Sequence, residues 1–524
     1  MEPKLSTPWG LFAITCEKYP NHPMIKHNHL EYTYQQVFNK VQSISDTLQQ
    51  FDSRVFGVYL PNSIEFITFL LALNKNKKIV VPLSYQLKGE SLYERVNYSD
   101  VEIIITDNNG LTEILKVKEK LNVGMVLLQN QELRFLGSHQ NGKKLIDIHD
   151  DIFGICFTSG STSQPKGVLI RNQAIAGNAL AVADYLKMNN QDVFFVTRSF
   201  TQAGPIAGDI LMTICSGGCL VISNDLFHPT IFLKTIQSFK VTTTLLINTM
   251  LSMLVEYPQL MNYDLSSLKR IIFGGMASSK SMVNVAMNKL PNVKFYCTYG
   301  MTEASTRITF SNPDDILKCP GSSGRPIKGC EVKVYREDGK EAGVNEVGEI
   351  YVISDYVMGG YYQREQLTAE ALTPIGLRTR DLGYKDEYGL LYVNGRSDDL
   401  IIQGGNNVFP IEIEEVLLRN SRIKEAVVLG IDDEILGSKI VAFVSLVDSS
   451  IGVPEVLKWC RANLEERKIP KAVYILNEIP KTDFGKINKN ELKKILMNKV
   501  RVNNEKGRVK TGMAIGPFRI DRAR

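Results

Sequence analysis

The sequence predicts an α/β fold: a large N-terminal domain of mixed and parallel sheets with helices and a β-rich subdomain, then a small α+β C-terminal domain on a hinge. Three observations predict it. Short apolar β-rich runs alternate with helically spaced stretches over residues 55–273, the order that builds βαβ units. From about Gly329 the texture changes to shorter strands and turns. Past Gly395 a compact strand-and-helix unit begins, and 524 residues are in any case too many for one core.

Val55 to Leu60 reads as a buried strand, and Ser63 to Leu73 as a helix with apolar residues at Ile64, Ile67, Phe69, Leu70 and Leu73. Ile79 to Leu83 and Val101 to Thr106 are further strands. The alternation returns with Val193 to Val196, Cys219 to Ser223, Thr243 to Ile247 and Leu268 to Phe273. Glu331 to Tyr335, Glu349 to Ile353 and Leu390 to Val393 form the β-rich part. Ile411 to Arg419 and Val453 to Glu466 are amphipathic helices, set among strands at Ala426 to Gly430, Ile440 to Leu446 and Ala472 to Leu476. The division is 1–397 with its β-rich subdomain at about 329–394, a mobile domain at 398–500, and a disordered or vector-derived tail at 501–524.

The formal charge of +5 is concentrated at the end of the chain. Residues 501–524 hold seven Lys/Arg and two Asp/Glu; without them the totals of 61 and 56 become 54 of each. A neutral body argues against a nucleic-acid surface, which needs a basic stripe. The eight cysteines form no C-x-x-C pair and no zinc-finger spacing. No apolar stretch reaches about 18 residues. Both point to a cytoplasmic protein without a transmembrane segment. The sequence leaves the oligomeric state open.

Four segments carry chemistry. Thr158-Ser159-Gly160-Ser161-Thr162-Ser163-Gln164-Pro165-Lys166-Gly167 follows the apolar strand Phe153 to Phe157. Its glycines let backbone N–H groups approach an anion, and five hydroxyls and Lys166 add donors; a Ser/Gly turn is the competing reading. It is no Walker A loop. Tyr299-Gly300-Met301-Thr302-Glu303 offers an aromatic face for a purine, a hydroxyl for a phosphate and a carboxylate for Mg²⁺, or equally a buried tyrosine and a helix start. Asp381, in Thr379-Arg380-Asp381, is a ribose-binding carboxylate or an ordinary turn aspartate. Lys486, in Pro480-Lys481-Thr482-Asp483-Phe484-Gly485-Lys486, precedes a helix and taken alone is a solvated loop lysine.

In this order the four segments resemble the adenylate-forming (AMP-binding) superfamily, and its acyl-CoA synthetase branch in particular. The resemblance runs from Thr33-Tyr34-Gln35-Gln36-Val37 to the Lys486 loop. It implies a two-step reaction: a carboxylate attacks the α-phosphate of Mg·ATP to give an acyl-adenylate and pyrophosphate, then the thiol of coenzyme A displaces AMP. It implies that Thr158, Ser159, Gly160, Ser161, Thr162 and Lys166 cradle phosphates. Gly275, Met276 and Ala277 would line the adenine, with Tyr299, Gly300 and Met301 beside it. Thr302 would contact the α-phosphate, Glu303 the Mg²⁺, and Asp381 and Arg396 the ribose. Lys486 would bridge α-phosphate and substrate carboxylate. Asp398 would be the hinge, and Gly404, Gly405 and Asn406 the loop that faces the thiol after the small domain rotates.

The resemblance excludes amino-acid adenylation on one residue pattern: Phe200-Thr201-Gln202-Ala203 lacks the carboxylate that would anchor an ammonium group. A fatty or aryl acid is the expected substrate. Loading of an acyl carrier protein, by a basic face including Lys424, Lys458 and Arg461, and a non-catalytic nucleotide-binding protein are the alternatives. Four departures stand out. Arg380 replaces a glycine, Ser161 and Ser163 alter the phosphate loop, and Asn406 stands where glutamate is common. Arg198 to Gly208 lacks the aromatic or histidine gate of fatty-acid members. The acyl pocket is expected among Thr201 to Gly208, Asn248 to Leu251, Gly274 to Ala277 and Cys297 to Met301.

Overall fold

The computed structural model describes residues 5–27, 30–129, 132–136, 149–158, 166–223, 227–274, 280–403, 406–433, 437–448, 450–481 and 487–496. Among them four sheets form.

The seven-stranded sheet has a parallel centre built on Val55–Tyr59, with Ile103–Thr106 on one side and Ile79–Pro82 on the other. These strands are buried on both faces, which is why they read as continuous Val/Ile runs rather than alternating ones. The same sheet ends in the antiparallel pair Ile152–Thr158 and Lys166–Arg171, whose register sets Thr158 opposite Lys166. The helix Ile64–Lys75 starts at Ser63, whose hydroxyl accepts the Phe66 N–H. Its apolar spacing suggests one buried face, yet Ile64 and all residues from Phe66 to Asn74 are buried. It touches the helices Pro8–Lys18 and Tyr34–Leu48 on one side and the strands Val55–Tyr59 and Ile79–Pro82 on the other, so no face is left to water.

The nine-stranded sheet carries a parallel run of Cys219–Ile222, Val193–Val196, Thr243–Ile247, Arg270–Gly274 and Lys294–Tyr299. Thr309–Ser311 returns antiparallel to the last of these. The carboxyl ends of the parallel strands share one edge, where open α/β sheets bind ligands. Between Val196 and Cys219 the chain forms a short helix Ala203–Pro205, a π-helical stretch Ile206–Leu211 and the turn Met212–Cys215. Reading by periodicity leaves this segment without an element, because a wide turn spoils the helical period.

Cys330–Tyr335, Gly348–Ser354, Leu372–Thr373, Gly376–Lys385 and Leu391–Arg396 make a five-stranded antiparallel sheet. A 3-10 turn, Ser397–Asp399, follows. The last sheet combines Ile401–Gln403, Asn406–Val408, Ile423–Asp433, Gly437–Leu446 and Ala472–Leu476. The helices Pro410–Leu418 and Val453–Asn463 accompany it, and the Trp459 indole donates to the Val416 carbonyl at 2.8 Å between them. The second helix stops at Asn463, short of the expected Glu466, because Leu464 turns extended and Glu466–Lys468 forms a separate 3-10 turn.

Candidate active site

Tyr299 ends its strand at the carboxyl edge of the parallel sheet. The next residue must be glycine: a Cβ on Gly300 would lie 1.5 Å from the Thr306 carbonyl oxygen. Thr302–Ala304 is a 3-10 turn, and Ser305 (φ 50°) and Thr306 (φ 108°) take left-handed backbone to send the chain back. Such conformations cost about 1–3 kcal/mol each and need outside support. Asn178, fully buried on the helix Asn172–Tyr185, supplies it. Its amide donates to the Arg307 carbonyl at 2.7 Å, and its side-chain oxygen accepts the Arg307 N–H at 3.3 Å and the Thr306 hydroxyl at 3.4 Å.

The turn buries Glu303 to 8% exposure. Its main-chain oxygen accepts the Met358 N–H at 2.8 Å, and Oε1 accepts the Tyr361 hydroxyl at 2.8 Å. Tyr361 lies beside the strand that starts at Lys166: Val168 bridges Tyr361, and the Tyr362 N–H donates to the Gly167 carbonyl. The Lys166 ammonium sits 5.7 Å from the centre of the Tyr361 ring. Tyr361 therefore joins two segments far apart in sequence. Burial, with the Glu303 carboxylate next, holds its phenol well above the usual range.

Asp381 lies on Gly376–Lys385, in register with Arg396 on Leu391–Arg396. Its Oδ2 accepts the Tyr299 hydroxyl at 2.6 Å, and its Oδ1 is 3.5 Å from Arg396 Nε. Burial raises the Asp381 carboxyl, while Arg396 and the Tyr299 hydroxyl pull it back. Burial, then the Asp381 charge, raises the Tyr299 phenol. Arg380 has φ 60°, which accounts for the family's preference for glycine there. Its guanidinium turns to Glu370 at 2.6 Å.

The structure thus brings Lys166, Tyr299, Thr302, Glu303, Asp381 and Arg396 to one edge, with Gly300 and Met301 between them. Ser159, Gly160, Ser161, Thr162, Gly275, Met276, Ala277, Gly404, Gly405 and Lys486 lie outside the described residues, as does the side chain of Asn406. On either side of the Lys486 segment Lys481 bridges Ile487, and the Lys481 ammonium pairs with Glu425 at 2.8 Å. Asp398 lies in the Ser397–Asp399 turn, whose Asp399 pairs with Lys489 at 2.7 Å. Tyr361 and Asn178 went unread in the sequence. A hydroxyl ring two residues after Gly359-Gly360 carries no motif, and an asparagine inside a helix usually faces water.

A single buried carboxylate is a usual protein contribution to Mg²⁺ held with substrate phosphates, so Glu303 fits a Mg·ATP site. A tyrosine–aspartate–arginine group beside it suits a diol, and a lysine beyond it suits a polyphosphate.

Residues 12–362 match the AMP-binding enzyme family and residues 412–486 the AMP-binding enzyme C-terminal domain. The 2-succinylbenzoate–CoA ligase of Bacillus cytotoxicus is 31% identical, over 89% of this chain and 94% of its own. That of Bacillus mycoides is 30% identical over 91% and 96%. The o-succinylbenzoate CoA synthetase MenE of Bacillus subtilis, solved with the acyl-adenylate intermediate OSB-AMP, superposes with a TM-score of 0.81 at 25% identity, over 93% of this chain and 98% of its own. The anthranilate CoA ligase AuaEII with anthranoyl-AMP gives a TM-score of 0.84 at 22% identity, over 94% and 98%.

Proposed function

The chain belongs to the AMP-binding enzyme family, and on that premise we propose that it activates an aryl carboxylic acid of the 2-succinylbenzoate type through the residues gathered around Tyr299 and Glu303. It is an AMP-forming acyl-CoA synthetase, using ATP with Mg²⁺ and coenzyme A. The carboxylate oxygen bonds to the α-phosphorus and pyrophosphate leaves. The thiol sulfur then bonds to the acyl carbon, and AMP leaves with the electron pair of the broken C–O bond.

In this reading Lys166 and the preceding loop hold the β- and γ-phosphates. The Tyr299 ring lies along the adenine while its hydroxyl orients Asp381, which accepts both ribose hydroxyls beside Arg396. Thr302 donates to the α-phosphate. Glu303, fixed by Tyr361, would hold Mg²⁺, which offsets charge on the phosphates when bound. Lys486 neutralises charge as it develops between carboxylate and α-phosphate. Residues 398–500 turn about Asp398 between the two steps, bringing Gly404, Gly405 and Asn406 to the thiol. Free coenzyme A rather than a carrier protein is the acceptor, as in the relatives' names. Cytoplasmic action is part of the proposal; all eight cysteines are unpaired, and no helix among the described residues is long and apolar enough to cross a membrane.

The observation that carries this is the joining of Lys166 to Glu303 through Tyr361, beside the Tyr299–Asp381–Arg396 group. The test is pyrophosphate release from Mg·ATP across aryl, fatty, dicarboxylic and amino acids, with and without coenzyme A. Release with aryl acids, and a thioester only with coenzyme A, is expected. Absence of acid-dependent release would overturn the proposal.

A further inference from the structure

Just past the site, two arginines share one acid. Arg198 Nη2 donates to both carboxylate oxygens of Asp209, at 2.8 and 2.7 Å. Arg307 Nη2 stands 3.7 Å from Asp209 Oδ1, an ion pair too long for a hydrogen bond. Asp209 is 1% exposed and Arg307 8%. Two guanidinium groups around one carboxylate leave a net charge of about +1 away from water, a costly arrangement unless an anion completes it. The loose hydrogen-bonding capacity agrees: Arg307 Nη2 and Arg198 Nε are buried and hydrogen-bond to no described residue.

The location gives this surplus a use. Arg198 follows the strand Val193–Val196, and Arg307 follows the turn after Lys294–Tyr299, so both sit at the carboxyl edge of the parallel sheet. A Cβ on Gly300 would lie 3.1 Å from Arg307 Cα, so Arg307 starts one backbone width from Tyr299-Gly300. Two glycines line the guanidinium groups. A Cβ on Gly208 would come within 3.0 Å of Arg307 Nε and 3.1 Å of Nη2, and one on Gly204 within 3.2 Å of Arg198 Nη1. The turn carrying them is fixed by Asn62, which donates to the Arg198 carbonyl and accepts the Phe200 N–H, both at 2.9 Å. Thr201, in the same turn, is 7% exposed and offers no gate side chain of its own.

We infer that the acid this enzyme activates carries a second carboxylate, and that Arg307, with Arg198 beside it, receives that group while the first carboxylate is adenylated. The inference rests on the ligase reading above and adds the chemical class of the distal group and the residue that selects it. Asp209 holds the Arg198 guanidinium in place and tempers the positive charge, so the pocket takes one anionic group rather than a polyanion.

The test compares 2-succinylbenzoate with 4-oxo-4-phenylbutanoate, the same acid without its ring carboxylate, and other dicarboxylates with their half-esters. Pyrophosphate release is followed for the natural enzyme, Arg307→Met and Arg307→Lys. The natural enzyme should favour a diacid over its one-carboxylate partner by about 10²-fold or more in kcat/KM, the scale on which a site built for a polar group rejects its absence. Arg307→Met should bring that ratio close to one without lowering Tm, and Arg307→Lys should restore part of it. A merely structural arginine would instead lower Tm and depress both acids alike, which overturns the inference. Equal use of diacid and half-ester by the natural enzyme, or release only with fatty or amino acids, overturns it while the ligase reading stands. No release with any acid overturns both.

Discussion

The Tyr299 hydroxyl donates to Asp381 Oδ2 at 2.6 Å, tying the carboxyl end of a parallel strand to the middle of an antiparallel sheet. The bond is charge-assisted and buried, the kind worth about 1.5–3 kcal/mol. It also sets the carboxylate's remaining oxygen toward Arg396.

Tyr299→Phe should therefore lower unfolding free energy by about 2 kcal/mol, because Asp381 stays buried with one partner fewer. The KM for ATP should rise several-fold while the KM for the acid changes little. Urea unfolding and initial rates at varied ATP check both. An unchanged ATP KM would detach this pair from nucleotide binding.

Arg380 holds φ 60° with an ion pair to Glu370 in which both side chains are more than a third exposed. The left-handed backbone costs a residue with a Cβ about 1 kcal/mol, and exposed pairs contribute little. Arg380→Gly is expected to leave the urea midpoint unchanged or raise it. Arg380→Val should lower it by more than about 1 kcal/mol, since a β-branched residue tolerates this backbone least.

Glu414, 8% exposed on the helix Pro410–Leu418, accepts the Val428 N–H at 2.8 Å. Burial raises its carboxyl from 4.5 to about 7. Between those values the folded chain keeps a proton that the unfolded chain has released, so stability falls as pH rises through that window. The slope approaches about 1.4 kcal/mol per pH unit and the total about 3 kcal/mol. Glu414→Gln should flatten this part of the profile and stabilise the protein at pH 8 but not at pH 4. Urea unfolding at the two values decides it.

Lys486→Ala should abolish acyl-adenylate formation, a loss of about 10²–10³-fold or more, while thioester formation from preformed acyl-adenylate continues. Asp398→Pro, which stiffens the turn before the small sheet, should do the reverse. Single-turnover assays of each half-reaction check the pair. Equal loss of both steps in Lys486→Ala would remove its assigned role.

Most of the strand order was legible along the chain because strands buried on both faces leave continuous apolar runs, as at Val55–Tyr59 and Ile103–Thr106. Gly300 and the Thr302-Glu303 pair were legible because a turn needs local residue types whatever surrounds it. The burial of Ile64–Lys75 on all sides was not, since periodicity reports one face and says nothing of what arrives at the other. Nor was the link from Lys166 to Glu303, which depends on Tyr361 from a segment with no motif. Asn178 under Thr306 and Arg307 beside Asp209 belong to the same class. Each is a contact between residues about a hundred or more positions apart, and hydrogen bonds and charge balance at that range exist only once the sheets have stacked. Local chemistry marked where a nucleotide is met. The folded chain alone set which groups brace those residues and which charge is left for the substrate to balance.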